Sequence, residues 1–313
     1  MVKKAGFTIQ CEKENILSFN SQIERVRSFG VTSIEVPICS TNVIVGQKIN
    51  QNELRLLKQS LLSQELDYSV HGELSANLFD TDHLEMHKEI IKRDIEVSAE
   101  INASHLVTHF GICKIEDFEN KDVYQSLMSQ QQDAYSELAE YAEKHNVVIA
   151  TENIFCVTPK HYAPTPSELS NQISKIDHKN LRACLDISHA YINSNWLNLD
   201  FFSEINAIAP YAEHVHIHDS FGKLKTFQPY YSTEEVSYGL GDLHLPLGWG
   251  DINFDKIFTD NSFPDHLNLN LELKPQHASY HKGCLLYTSP SQRDEIPSRM
   301  QSYAWKKVGG GGG

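Results

Sequence analysis

Short apolar runs and longer amphipathic stretches alternate along most of this chain. The apolar runs are rich in β-branched and aromatic side chains and have the length of buried strands. Eight of them can be recognised, near AGFTI, SIEVPI, YSVH, HLVTH, VVIATE, RACLD, HVHIH and LNLNLE. Most gaps between them carry apolar residues at every third or fourth position, which is the period of an amphipathic helix.

The helical period is clearest in four gaps, which read SFNSQIERVRSFG, NELRLLKQSLLSQ, HLEMHKEIIKRDIEVSAEI and VYQSLMSQQQDAYSELAEYAEKH. Strand followed by helix, repeated, predicts a parallel sheet with right-handed crossovers. Eight such units are enough to close an α/β barrel of the (β/α)8 or TIM type, whose active site is built from the loops that follow the strands.

Six of the apolar runs end with a side chain that can bind a metal ion. These side chains are His71, His109, Glu152, Asp186, His216 or a neighbouring histidine, and Glu272. Each would lie at or near the carboxyl end of its strand. The sequence therefore predicts that all six point into the carboxyl-terminal mouth of one barrel.

Two further pairs supply the same chemistry. Asp186 and His189 lie three residues apart in CLDISHAY, and Asp242 and His244 lie in the glycine-rich segment GDLHLPLGWGD. A carboxylate beside an imidazole suits zinc, manganese or iron. Each pair alone is a weak signal, because carboxylate and histidine residues at such spacings often form ordinary hydrogen bonds within loops. A single histidine on a strand is likewise more often a structural residue than a metal ligand.

The combination is stronger than its parts, since all candidates converge on one face of the barrel. Four carboxylates in one barrel mouth, namely Glu152, Asp186, Asp242 and Glu272, would repel one another unless a cation neutralised them. The sequence therefore predicts a metal centre that holds a divalent ion.

Composition is consistent with a single enzyme-sized domain. The formal net charge of −14 argues mildly against binding to nucleic-acid phosphates, because a local basic rim could still bind them. No run is long enough to span a membrane, and MVKKAGFTI is too short in its apolar part for a secretory signal. Cysteines 11, 39, 113, 156 and 184 show no paired ligand spacing, so a reduced cytoplasmic setting is expected.

The end of the chain differs in character from the rest. One reading frame of a common transposase adapter encodes CLLYTS, PSQRD is close to the translation of the bases that follow it, and five glycines end the chain. We therefore expect one natural domain over residues 1–283, with its eighth outer helix truncated, and a non-native tail over residues 284–313 that packs no core. A flexible glycine-rich tag would explain only the last five residues.

Several motifs together resemble the xylose isomerase-like superfamily of barrels, which includes sugar isomerases, ketose 3-epimerases and endonuclease IV. In chain order they are VHGELSANL, VTHFG, TEN, CLDISHAY, VHIHDS, GDLHLPLGWGDI and LELK, within about residues 5–275. In the epimerase branch, one divalent metal is held by four residues whose positions match Glu152, Asp186, His216 and Glu272. In the endonuclease IV branch, the same four join five more ligands around three zinc ions, and the matching positions are His71, His109, His189, Asp242 and His244.

The resemblance implies a metal-dependent sugar or sugar-phosphate isomerase or epimerase, with one to three divalent ions, Zn or Mn, as cofactor. Glu152 and Glu272 would exchange a proton through an enediolate, and His189 or His71 would hydrogen-bond the substrate. The alternative is an endonuclease IV-like zinc phosphodiesterase acting on abasic DNA. The first segment, GFTIQCEKEN, lacks the His-Val-Ser-Ala pattern with which that branch contacts DNA. A barrel that binds ligand without catalysis is least favoured, because the acid and base candidates are intact.

The substrate itself is expected to be a small sugar or sugar phosphate. Nucleic acid is a partner only under the alternative, no membrane is expected, and an oligomer is left open. Candidate substrate contacts that follow predicted strands are Lys114, Phe155, Lys223 and Trp249, although loop lysines are more often solvated charge and loop aromatics can plug a barrel top. Histidines 105, 214 and 218 share strand parity with ligand candidates, so one of them, above all His218, could compete with His216.

Overall fold

Eight parallel strands close into a barrel. The computed structural model describes residues 4–11, 15–61, 65–231 and 233–288. The barrel strands are β1 (Lys4–Thr8), β2 (Ser33–Pro37), β3 (Asp67–His71), β4 (His105–His109), β5 (Val148–Glu152), β6 (Leu181–Asp186), β7 (Ala212–Ile217) and β8 (Asn268–Leu271). Each strand is hydrogen-bonded to the next in chain order, and β8 closes on β1. The predicted (β/α)8 barrel is confirmed, and each predicted apolar run overlaps one strand.

Helices fill the connections between the strands. They are α1 (Ser18–Arg27), α2 (Gln51–Leu61), α3 (Leu84–Glu100), α4 (Ile115–Glu119), α5 (Lys121–Lys144), α6 (Pro166–Ile176), α7 (Ile187–Leu197), α8 (Phe201–Ile208), α9 (Glu234–Tyr238), α10 (Phe254–Asp260) and α11 (His281–Thr288). The four gaps with the clearest helical period coincide with α1, α2, α3 and α5. Within the described ranges, no helix combines the length and the apolar character that crossing a membrane requires.

The main hydrophobic core lies between the sheet and the helices, because successive side chains of a strand point to opposite faces. Ile34 and Val36 of β2, and Leu269 and Leu271 of β8, face outward into this core and are buried. The alternate positions face the barrel interior, where β2 contributes Glu35 and the other strands contribute mostly histidine, carboxylate, serine and asparagine side chains. The barrel interior is therefore polar, unlike the branched aliphatic layers typical of this architecture.

The predicted tail overlaps the end of the described chain. Helix α11 runs through the predicted boundary at residue 284, and Cys284 is only 3% exposed. Residues 289–313 lie outside the described residues. The division into a domain over residues 1–283 and a non-native tail therefore stays a prediction.

A charged cluster fills the amino-terminal end of the barrel around Glu213 of β7. One oxygen of Glu213 lies 2.8 Å from Nε of Arg182 and 3.0 Å from Nε2 of His266, and the other lies 3.3 Å from Nε2 of His105. Burial would raise the pKa of Glu213, but hydrogen bonds from His105 and His266 outweigh it and hold the pKa at about 2. The carboxylate therefore stabilises the closed barrel mainly in its charged form.

Replacement of Glu213 by glutamine should lower the free energy of unfolding at pH 7 by about 1–2 kcal/mol, allowing for solvent screening. Folding lowers the pKa of this carboxylate. Its full contribution to the free energy of unfolding is therefore present at pH values above the pKa of the unfolded state, and it is lost as the pH falls to the pKa of the folded state. The loss in the parent protein should therefore fall between pH 4.5 and about 2.

Urea denaturation at a series of pH values measures this effect. The exposed Glu116→Gln variant is the matched control and should retain the parent pH dependence. If the Glu213→Gln variant lost stability in acid to the same extent as the parent, the low pKa of Glu213 would not be the cause of that loss.

Candidate metal centre

All six strand-end candidates lie at the carboxyl end of the barrel. His71, His109, Glu152 and Asp186 are the last residues of β3, β4, β5 and β6. His216 is the penultimate residue of β7, and Glu272 follows β8 directly. Since all the strands run in the same direction, these side chains share one mouth, as the sequence analysis predicted.

Glu152 lies at the middle of the cluster and is 1% exposed. Its Oε1 is 3.2 Å from Nδ1 of His189 and 3.4 Å from Nδ1 of His216. Its Oε2 is 3.3 Å from Nε2 of His71 and 3.7 Å from Nε2 of His109. One carboxylate thus faces four imidazoles that arrive on four different elements.

Asp186 and Asp242 form a second group beside the first. Oδ2 of Asp242 lies 3.4 Å from Nε2 of His189, and Oδ1 lies 3.6 Å from Nδ1 of His218. Oδ2 of Asp186 lies 2.9 Å from Nε2 of His218. His244 stacks on His218 with ring centroids 4.0 Å apart. His218, expected only as a competitor of His216, therefore faces a carboxylate with each of its two ring nitrogens.

Glu272 joins the two groups. Its Oε2 lies 3.3 Å from Nδ1 of His216 and 3.9 Å from Nδ1 of His244. The structure therefore brings together all nine residues singled out as metal ligands, namely His71, His109, Glu152, Asp186, His189, His216, Asp242, His244 and Glu272.

The CLDISHAY segment places Asp186 and His189 by turning directly from strand into helix. Asp186 ends β6 and caps α7, and its Oδ1 accepts a hydrogen bond of 2.7 Å from the backbone N–H of His189. Asn153, the residue after Glu152, joins the ends of β5 and β6: its amide donates to the carbonyl of Asp186 and accepts from the N–H of the same residue. The D-x-x-H spacing is thus a helix-capping geometry that also aims both side chains into the mouth.

The loop that carries Asp242 and His244 is anchored by Asp219. The carboxylate of Asp219 accepts hydrogen bonds from the backbone N–H groups of Ser220, Gly248 and Ile252. At Gly250, an added Cβ would lie 2.2 Å from the carbonyl oxygen of Ser220, so only glycine permits this approach.

His244 adopts a left-handed backbone conformation, with φ of 47°, which is uncommon for a residue with a side chain. Its ring nitrogen Nδ1 lies 2.7 Å from the carbonyl oxygen of Glu272. This contact with the residue after β8 holds the ring over the mouth and offsets the backbone strain.

Glu35 of β2 supports the centre from below and is fully buried. Its Oε1 lies 3.0 Å from Nε2 of His216, and its Oε2 lies 2.8 Å from Nε2 of His214. The hydroxyls of Thr8 and Ser69 donate to the same carboxylate. Because Glu35 engages Nε2 of His216, the opposite ring nitrogen, Nδ1, faces Glu152 and Glu272.

Sequence reasoning missed Glu35. The available signal was a carboxylate in the middle of the otherwise apolar run SIEVPI, which a strand buried on both faces tolerates only when the charge is paired. His214 was named only as a competitor of His216. In the structure it faces the same Glu35 carboxylate, one layer below the mouth.

Opposite charges set the protonation of the cluster. Burial would raise the pKa of Glu152, but His216 and the hydrogen-bonding histidines hold it well below its usual range. Burial would lower the pKa of His71 and of His244, but their carboxylate neighbours raise each to about 9. His109, for which burial is the largest influence, has its pKa lowered to about 4. The pKa shifts of His71 and His244 therefore follow from the carboxylates that face them, and the shift of His109 follows from its burial.

The donors present fit a divalent transition metal. Glu152 Oε2, His216 Nδ1 and His218 Nδ1 are buried and make no hydrogen bond of good geometry, although groups of opposite character lie 3.3 to 3.9 Å away. Buried polar atoms are normally satisfied, so three such atoms within one cluster of carboxylates and imidazoles indicate a site shaped for another group. A set of imidazole nitrogens and carboxylate oxygens suits zinc, manganese or iron.

A cavity of about 490 Å³ opens above this centre. Phe155, a predicted substrate contact, lines it and lies 4.9 Å from the ring of His189. The described residues that line the cavity do not include Lys114, Lys223 or Trp249. Lys114 and Lys223 are exposed, and Trp249 packs edge-on against Tyr280. A role for these three in substrate binding stays a prediction that this arrangement does not favour.

The chain belongs to the xylose isomerase-like TIM barrel family, which matches residues 23–260, so the resemblance seen in the motifs is confirmed. An uncharacterised protein of Methanocaldococcus jannaschii is 28% identical over 172 residues, which cover 54% of this chain and 50% of that protein. The chain thus spans about half the length of this curated relative.

Solved structures of similar fold include a D-tagatose 3-epimerase-like protein, with a TM-score of 0.68, 19% identity, and coverage of 94% of this chain and 99% of that one. The 3-keto-D-glucoside 4-epimerase of E. coli gives a TM-score of 0.61 at 15% identity, covering 91% and 98%. An L-ribulose 3-epimerase gives 0.65 at 13% identity, covering 98% and 100%. At these identities the likeness concerns the fold.

Replacing Glu35 by glutamine should weaken divalent-metal binding about 10- to 100-fold. The glutamine amide has one uncharged oxygen acceptor in place of two charged oxygens, so it cannot accept hydrogen bonds from both His216 and His214. Isothermal titration of metal-free protein with Mn²⁺ or Zn²⁺ measures the affinity. Ser69→Ala, which removes one neutral hydrogen bond to Glu35, should change it far less. Equal affinities for the parent and Glu35→Gln would show that Glu35 does not support the site.

The second prediction for the centre concerns the number of ions. Nine clustered donors exceed the needs of one cation, so we expect at least two divalent ions per chain, with transition metals preferred over magnesium. Elemental analysis of metal-loaded protein should give this stoichiometry, and His109→Ala and His244→Asn should each lower it. Asparagine tolerates the left-handed backbone at position 244. One ion per chain, unchanged in both variants, would indicate a single-metal centre.

Proposed function

We propose that this protein is a metal-dependent sugar isomerase or epimerase that moves a proton through an enediolate. The observation that carries the proposal is the relation of Glu152 to Glu272. The two carboxylates reach the same nitrogen, Nδ1 of His216, at 3.4 and 3.3 Å, from strands separated by β6 and β7. Two carboxylates that flank one point can remove a proton from one side of a carbon and return it from the other.

The two carboxylates have different surroundings. Glu152 is buried among imidazoles that keep its pKa low, so it is charged at neutral pH and ready to accept a proton. The side chain of Glu272 is 16% exposed and opens to the cavity. His189 and His71 also line the cavity, where they can donate hydrogen bonds to a substrate oxygen.

The residues that would hold metal are Glu152, Asp186, His216 and Glu272, with the five other candidates available for further ions. When bound, a divalent ion polarises a carbonyl and so acidifies the neighbouring C–H. The described chain would contribute the bases, the hydrogen-bond donors and the cavity that receives the substrate. Three proteins of similar fold are named as epimerases, or an epimerase-like protein, of sugars, which supports a sugar as the substrate class.

The alternative, cleavage of abasic DNA, is favoured by one observation. All nine residues that match the endonuclease IV pattern come together, including His109, Asp242 and His244. Against it, neither lysine nor arginine occurs among the described residues that line the cavity, whereas duplex DNA binding depends on cations that contact phosphates. We therefore rank it second.

Glu152→Gln and Glu272→Gln should each reduce the incorporation of solvent deuterium into ketose substrates by at least about a hundredfold, since each removes one general base. Mass spectrometry of sugars recovered from D₂O reports the exchange, and metal content is measured in parallel. Glu73→Gln, which replaces a carboxylate near the mouth that does not line the cavity, is the matched control and should retain exchange.

Abasic duplex DNA is the discriminating substrate. Cleavage by metal-loaded protein that weakens steeply with added salt, together with no exchange across a broad panel of ketoses and aldoses, would overturn the proposed function in favour of a phosphodiesterase.

A further inference from the structure

The cavity above the centre has two unlike halves. Its floor consists of the metal-ligand candidates His71, His109, Glu152, His189, Asp242, His244 and Glu272. Its wall consists of residues from the segments that follow β3, β4 and β5, and seven of these are apolar, namely Leu74, Ala76, Phe110, Ile112, Ile154, Phe155 and Val157. We propose that the substrate is an uncharged α-hydroxy carbonyl compound whose far end is apolar, as in a deoxy sugar, and that it is not a sugar phosphate. The proposal rests on the proposed function and specifies its substrate class.

The wall offers few hydrogen bonds to the far end of a sugar. Its two polar residues are Ser75 and Asn77. The side chain of Asn77 is already engaged, because its oxygen accepts from the N–H groups of Phe79 and Ile112 and its nitrogen donates to the carbonyl of Ile112. A sugar hydroxyl placed against the seven apolar residues of this wall would lose its hydrogen bonds to water without replacement, whereas a methyl group would gain from the contact.

The charges around the cavity disfavour a phosphate. Neither lysine nor arginine occurs among the described residues that line the cavity, and the ammonium group of Lys274 donates to the carbonyl oxygen of Asp242, which belongs to the floor. Lys114 and Lys160 lie in the segments that follow β4 and β5, but they are exposed and are not among the residues that line the cavity. A phosphate held against the buried part of this wall would therefore be desolvated without a cationic partner, which is costly.

The apolar wall continues to the rim of the cavity. Leu74 is 51% exposed and Val157 is 50% exposed, and they come from the segments after β3 and β5. They line the same cavity as the buried Ile154 and Phe110, so the lining includes apolar residues both in its interior and at its exposed edge. An apolar group on the substrate would cover this surface and remove it from water.

A homologous series of ligands tests the wall without requiring turnover. Hydroxyacetone, and its homologues in which ethyl or propyl replaces the methyl group, share one metal-chelating head and differ only in the length of the apolar end. Binding to the manganese-loaded protein, followed by isothermal titration, should tighten about threefold to fourfold for each added methylene. Dihydroxyacetone phosphate should bind more weakly than hydroxyacetone. An affinity that does not rise along the series, or a tighter phosphate, would overturn the proposal.

A paired substitution tests the charge argument. Val157→Lys places a cation on the rim and should strengthen binding of dihydroxyacetone phosphate about fivefold, the gain of one partly exposed ion pair. Val123→Lys is the matched control, since Val123 is a partly exposed valine on α5 that does not line the cavity. Equal phosphate affinities for the parent and Val157→Lys would show that the wall does not face the far end of the ligand.

Deuterium exchange separates this proposal from the function on which it rests. Faster exchange with a ketose phosphate than with the matching deoxyketose would overturn the substrate class and leave the isomerase or epimerase function standing. Absence of exchange with every sugar would overturn the function, while the ligand series would still decide whether the wall selects apolar, uncharged ligands.

Discussion

The attraction between buried carboxylates and imidazoles in the barrel interior is the interaction on which the rest of this structure depends. Glu35, Glu152 and Asp186 are each at most 1% exposed, and such charges are tolerated only when they are paired. His216 lies between Glu35 and Glu152, and His218 lies 2.9 Å from Asp186. The strand register, the helix cap at Asp186 and the loop after β7 all serve to bring such groups within about 4 Å of one another.

Two regions of the barrel stabilise the fold by different interactions, apolar packing outside the strands and polar contacts inside them. Aliphatic residues on the outer faces of the strands pack against the helices, whereas the one apolar cluster described inside the barrel consists of Val107, Ala150 and Cys184. Closure of the barrel therefore depends on polar contacts along its axis, from the cluster around Glu213 at one end to the cluster around Glu152 at the other. Charge compensation inside the barrel therefore adds to the stability that the outer apolar core provides.

Strand-end side chains could be predicted from sequence because a strand of known direction defines where its last residue points. For this reason the positions of His71, His109 and Glu152 followed from periodicity alone. Glu35 could not be placed in the same way, because it lies in mid-strand and its partners are remote in sequence. The direction of Lys114 and Lys223 could not be predicted for another reason: loop residues have no period, so where they point depends on backbone turns that composition does not reveal.

The anchoring of the loop after β7 has an evolutionary consequence. Asp219 holds this loop through backbone N–H groups, and the N–H of Gly241 and the N–H of Lys274 add bonds to other backbone carbonyls. Exposed side chains in the loop therefore contribute little to its path, in contrast to the buried Leu243 and Leu245 and to Gly250, where space is lacking. Such a loop can accumulate substitutions, and so acquire new ligand preferences, while Asp242 and His244 stay in register with the barrel.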